Sequence, residues 1–174
     1  LLTRRLLYCT LAALCLYSIF PCRILAVETS AASAILMDAD SGRVLYEHNA
    51  DRKMLIASTT KILTALVAIE EGDLHDSVKV SREAAYTEGS AMYLTEGETL
   101  TLETLLYGLF FLNVNDSSVL FSYLLGGSVK GFVALMNEKA RTLGMKDSSF
   151  AKPNGRADDR HYSTALDMAK LAQA

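Results

Sequence analysis

Tryptophan is absent from this 174-residue chain, proline occurs only at Pro21 and Pro153, and the three cysteines all fall within the first 22 residues. Beyond Cys22 there is no thiol, so the rest of the chain has no disulfide framework, no cysteine nucleophile and no Cys-based zinc site. The three histidines, His48, His75 and His161, are scattered without metal-ligand spacing, and no metal is expected. They are assigned surface or hydrogen-bonding roles. Aromatic residues make up 8% of the chain, and internal repeats and low-complexity runs are lacking. Any nucleophile must therefore be a hydroxyl or an amine.

The cysteines share their segment with the one long apolar run. Arg4 and Arg5 precede the apolar stretch Leu6–Phe20, Pro21 breaks it, and Ala26 is a small residue suited to cleavage. Residues 1–26 read as a secretory signal peptide, with a cut after Ala32 as a second option. An uncleaved N-terminal anchor is the other reading, although the stretch is short for a membrane span. No lipobox precedes a cysteine. Removing the segment leaves 14 of the 17 basic residues against all 20 acidic ones, a net charge of −6. An acidic, exported chain lacks the basic surface that nucleic-acid binding needs.

Apolar patterning places two strands first and helices afterwards, an α+β order. Ala34–Asp40 and Arg43–Glu47 read as strands around a Ser41-Gly42 turn. Asp38 and Asp40 could form a carboxylate pair, but their place at a turn favours solvation, and EF-hand spacing is missing. Ala57–Glu70 is an amphipathic helix ended by Gly72. A short strand is expected at Val78–Val80, a brief helix at Ser81–Ala85, and an exposed loop over 86–98, where Met92 and Tyr93 are assigned to loop packing. Further helices are expected at Leu102–Leu112 capped by Thr101, at Ser117–Leu125, at Phe132–Leu143, and from a Ser163 or Thr164 cap to Ala172. A lone two-stranded hairpin is marginal, so the sheet reads as incomplete.

The sharpest chemical feature is Ser58-Thr59-Thr60-Lys61 at the start of the first helix. The i, i+3 spacing puts hydroxyl and ammonium on one face, one turn apart. A serine hydroxyl needs an adjacent base, and lysine is one when burial lowers its pKa. The helix N-terminus favours a developing oxyanion. Leu55-Ile56-Ala57 and the helix that follows are expected to bury the motif. Alone, the tetrapeptide also fits an N-cap serine and a solvated lysine. Asn115, at the break between two apolar helices, is either a turn residue or an amide that holds a substrate carbonyl and the lysine.

From Ala34 to Ala174 the chain resembles the serine-type D-alanyl-D-alanine carboxypeptidases, the low-molecular-mass penicillin-binding proteins. The resemblance rests on Ala34–Tyr46, Ala57–Thr64, Leu105–Leu109, Asn115-Asp116, Leu143–Met145 and His161–Ala165. It implies a β-lactamase/transpeptidase-like fold with residues 27–174 as an incomplete catalytic domain whose C-terminal sheet strands are missing. It implies Ser58 as nucleophile, Lys61 as general base, Asn115 as part of the second motif, and the Ser58 N–H as an oxyanion donor. The implied substrate is the peptidoglycan stem peptide, with β-lactams as acylating inhibitors and no cofactor. Membrane attachment is expected only through the signal or a C-terminal anchor.

The chain departs from the family at two places. Asn113-Val114-Asn115 stands where the family has Ser-x-Asn, so Asn113 replaces a hydroxyl that relays a proton, and an amide relays poorly. Losing a positioned proton-transfer group costs on the order of 10²–10⁴ in rate. Ser117 and Ser118 follow closely. The family's Lys-Thr-Gly strand is also absent, and with the Leu1 start and an end inside a helix this reads as a truncated gene model or a fragment. The expectation is a D,D-carboxypeptidase by family with weak or no activity in this chain. A non-catalytic peptidoglycan-binding relative, a decayed gene product and a β-lactamase-like hydrolase are the alternatives.

Overall fold

The computed structural model describes residues 28–174; the expected signal peptide, residues 1–26, lies outside the described residues. Strands β1 (Ala34–Met37) and β2 (Val44–His48) form the first hairpin, antiparallel, with Ala34 opposite His48 and Leu36 opposite Tyr46. The register shifts between Leu36 and Met37, and strand pairing stops at Met37 rather than reaching Asp40. The cause is the turn. Asp38 Oδ1 accepts hydrogen bonds from both the N–H and the hydroxyl of Ser41, folding the aspartate back on its own loop and holding its carboxyl below the usual carboxylate range. Gly42 closes the turn at a φ of +69°.

The helix that carries the Ser58–Lys61 motif begins differently from its expected form. Ala57–Thr59 is a 3₁₀ turn, and helix α1 runs Thr60–Glu71. Ser58 thus sits in the 3₁₀ turn and Lys61 in the first turn of the α-helix proper. After it come β3 (Ser77–Lys79), α2 (Arg82–Ala85), β4 (Thr99–Thr101), α3 (Leu102–Phe111), α4 (Asp116–Gly126), α5 (Val129–Thr142) and α6 (Ala165–Gln173). Strand β4 was not expected. It is three residues long, pairs antiparallel with β3, and ends on Thr101, whose hydroxyl also caps α3 by accepting the Thr104 N–H. Helix α5 starts three residues earlier than its apolar pattern indicates, because Ser128 caps it by accepting the Gly131 N–H. Thr164, not Ser163, caps α6.

Residues Ala31–Ala174 form one unit. Helix α4 packs along α5, and α1 lies against both and against α3. The shared core includes Leu63 and Val67 of α1, Leu105 and Leu109 of α3, Phe121 of α4, and Phe132 and Met136 of α5. Each such side chain taken from water contributes about 1.5–3 kcal/mol. The α4–α5 corner is tight: a Cβ on Gly126 would lie 2.2 Å from the Phe132 nitrogen, and one on Gly131 would lie 2.0 Å from the Gly126 carbonyl oxygen. Helix α6 lies against β1. Within the described residues the strands form two separate two-stranded sheets.

Candidate active site

Helix α1 presents two different faces to the site. Thr60 and Thr64, one turn apart, are both fully buried and face the segment 151–161. Thr64 Oγ1 donates to the Pro153 carbonyl at 2.6 Å. Thr60 Oγ1 lies 2.7 Å from His161 Nε2. His161 Nδ1 accepts the Ala151 N–H at 3.1 Å, so Nε2 carries the proton and donates to the threonine. Burial lowers the pKa of this imidazole, and Lys152 lowers it further against the opposing field of Asp158. His161 therefore has a hydrogen-bonding role, as expected; His48 and His75 are exposed. The same segment presses on the residue before Ser58. A Cβ on Gly155 would lie 1.9 Å from the Ala57 carbonyl oxygen, and Ala57 itself is held at a φ of +45°. Few residues with a Cβ adopt that conformation, so Ala57 marks a strained entry to the Ser58 turn.

Lys61 lies on the other face and is 4% exposed. Its Nζ donates to Asn113 twice, to the backbone oxygen at 2.6 Å and to Oδ1 at 2.8 Å. Asn113 reaches this geometry at a φ of +53°, a conformation that asparagine tolerates better than most residues with a Cβ. Burial holds the Lys61 pKa below its ordinary value, with Asp116 pulling it back up. Once neutral, the amine has two N–H groups. Both are taken by the oxygens of Asn113, which leaves the lone pair free for an incoming proton.

Ser58 is exposed, not buried as its neighbours implied, and Leu55 is 64% exposed. Among the described residues the Ser58 hydroxyl makes no hydrogen bond to Lys61 or to any other group, and its N–H is likewise without an acceptor. The candidate nucleophile Ser58 and candidate base Lys61 stand one turn apart, with the Lys61 amine turned to Asn113. Catalytic hydrogen bonds often close only when substrate binds.

Asn115 is placed differently from its expected role as holder of the lysine. Its Nδ2 donates to the Glu88 carbonyl at 3.0 Å and its N–H to the Ser90 carbonyl at 2.7 Å. The lysine is held by Asn113 instead. Neither nearby serine takes over the missing hydroxyl: Ser117 Oγ donates to the sulfur of Met92, and Ser118 Oγ is buried without a partner. Met92 packs as expected, with its sulfur 2.1 Å from where a Cβ on Gly108 would sit, whereas Tyr93 is 90% exposed. No group of histidines, cysteines and carboxylates able to hold a metal occurs among the described residues.

Sequence reasoning assigned no site role to Asp116, Gly155 or His161. Asp116 and His161 lay inside the segments that carried the resemblance. Gly155 lay in a Pro-Asn-Gly run that reads simply as a turn.

The sequence profile of the family described as D-alanyl-D-alanine carboxypeptidase (peptidase S11) matches residues 22–174. The chain belongs to this family. The D-alanyl-D-alanine carboxypeptidase DacF of Bacillus subtilis is 40% identical over 148 residues, which are 82% of this chain and 38% of the relative. DacC of Escherichia coli is 34% identical over 160 residues, 86% of this chain and 40% of the relative. Among solved structures, the carboxypeptidase DacD from Francisella tularensis superposes with a TM-score of 0.81 at 33% identity, covering 84% of this chain and 37% of that one. Penicillin-binding protein 6B from Escherichia coli gives 0.81 at 29%, covering 88% and 52%. The fold is thus the mixed helix and sheet arrangement of the penicillin-binding carboxypeptidases. The chain spans about two-fifths of the length of these curated relatives.

Proposed function

We propose that this site performs serine acyl transfer on a D-alanyl-D-alanine terminus, as a carboxypeptidase of peptidoglycan stem peptides. The observation that carries this reading is a buried lysine, stripped of water and held by two carbonyl oxygens, one turn from an exposed serine. Ser58 Oγ attacks the carbonyl carbon between the two D-alanines while its proton passes to Lys61. The Ser58 N–H faces the developing oxyanion. The C–N bond then breaks, and D-alanine leaves with a proton. Water attacks the acyl-enzyme, a proton again passes to the base, and the shortened peptide is released with Ser58 restored. A β-lactam carbonyl enters the same first step. Asn113 positions the base, and Asn115 fixes the wall formed by residues 88–90. No cofactor enters this sequence.

An exported location, in the periplasm or on the outer face of the cell envelope, belongs to this proposal, as do a signal peptide at residues 1–26 and a contribution to cell-wall maturation and cell shape. The acidic balance and the Arg4-Arg5 apolar run support them. A second reading, a relative that binds stem peptides without cleaving them, rests on Asn113 in the place of a serine.

A fluorescent penicillin tests the proposal. The expected result is slow covalent labelling that is abolished in Ser58→Ala. Absence of labelling, in this chain and in a version extended to the length of its relatives, would favour the non-catalytic reading and overturn the enzyme.

A further inference from the structure

The short segment 113–116 works on two sides at once. On one side Asn113 grips Lys61. On the other, the Asn115 N–H and Nδ2 donate to the carbonyls of Ser90 and Glu88, and Asp116 Oδ2 accepts the Met92 N–H at 2.7 Å. Gly89 lets the wall approach, since a Cβ there would lie 2.6 Å from Asn115 Nδ2. Asp116 is 1% exposed, and its second oxygen accepts the Ser117 N–H at 2.8 Å. Burial raises the pKa of this carboxyl, and the amides on both oxygens, together with Lys61, oppose that rise in favour of the ionised form.

The charge balance of this region needs such a group. Lys61 has only neutral oxygens as hydrogen-bond partners, and a buried cation without an opposing charge is costly. The other charged groups at this end of α1 pair elsewhere. Glu88 pairs with Arg156 at 2.9 Å, and Lys152 and Arg160 both lie against Asp158. His161 is neutral and bound to Thr60. Among the described residues Asp116 is the charged group whose field reaches Lys61, and the influence is mutual.

We propose that Asp116 is a positioning residue, the buried counter-charge of Lys61, held in place by the Met92 and Ser117 amides and acting without touching substrate. Its catalytic consequence rests on Lys61 being the base. With the carboxylate present the ammonium form is retained to higher pH. Without it the lysine loses its proton earlier but is no longer drawn toward segment 113–116.

The test reads Lys61 directly and needs no turnover. The 174-residue chain and its Asp116→Asn variant are pulsed with acetic anhydride across a pH series, and acetylation of Lys61 is quantified by mass spectrometry. The half-reaction pH should fall by about one unit in the variant; an unchanged or higher midpoint overturns the counter-charge. A reciprocal measurement leaves Asp116 intact and so does not depend on that variant folding. In Lys61→Met, the carbon-13 titration of the Asp116 carboxyl should move up by about one unit, because coupling between two sites is reciprocal. No movement overturns the proposal. Failure of penicillin to label Ser58 would refute the enzyme reading while leaving both titrations to decide the role of Asp116.

Discussion

At the scale of single residues, Asn113 does two jobs that a serine cannot share in the same way. Its left-handed backbone brings its own carbonyl to Lys61, and its side chain adds a second acceptor. The lysine is therefore well held. What Asn113 lacks is a proton it can pass on. Asn113→Ser should raise the rate of penicillin acylation by about 10- to 100-fold, since a positioned proton-transfer group contributes on the order of 10²–10⁴. Stopped-flow labelling would show it. A slower serine variant would mean that the grip on the lysine matters more than the relay. The Ser58-x-x-Lys61 pair and the Asn113 replacement were legible from the sequence, because both are spacings along one short segment. The partner of Lys61 was not. Choosing between Asn113 and Asn115 depends on a single backbone dihedral at position 113, and no pattern of residue types records that angle.

At the scale of elements, α1 is the spine of the site because its buried hydroxyls are spent on a loop. Thr60 and Thr64 bind His161 and Pro153, and the loop between those residues presses Gly155 against Ala57. The turn that carries Ser58 is thus braced from outside its own helix. Thr64→Val keeps the shape and removes the donor to a buried carbonyl. It should cost about 1–3 kcal/mol in urea unfolding and also slow acylation, as the loop loosens beside Ser58. Full stability in the variant would show that water replaces the hydroxyl. Helical periodicity made α3, α4 and α6 readable to within a residue or two, whereas α1 begins three residues later than its pattern indicates. Strand β4 and the first turn of α5 were not readable, for related reasons. Thr99–Thr101 offers a single apolar residue between two threonines, and a polar cap such as Ser128 extends a helix beyond its apolar stripe. The 3₁₀ turn at Ala57–Thr59 is also invisible in composition, since it depends on the strained φ at Ala57.

At the scale of the whole molecule, acid is the expected weakness. His161 is buried in its neutral form, and its folded pKa lies below the ordinary value of 6.5. Above about pH 6.5 the histidine is neutral in both the folded and unfolded chain, so its full contribution to stability is present. As pH falls from there through the folded pKa, the unfolded chain takes up the proton first and stability declines. Protonation also removes the acceptor that binds the Ala151 N–H. Urea midpoints measured between pH 8 and pH 5 should fall, and His161→Gln should flatten that slope; an equal slope in the variant would show that His161 does not set it.

The bracing of α1 also sets an order of events when the chain folds. The bonds that finish the site join residues 52, 89 and 101 positions apart, from Lys61 to Asn113, Thr64 to Pro153 and Thr60 to His161. Closing loops of that length is slow compared with forming the helices they connect. During synthesis α1 can wind as soon as it emerges, yet the clamp on Ser58 must wait until residue 161 is free of the ribosome. A chain caught before that point would carry every residue of its nucleophile motif and still have no fixed place for it.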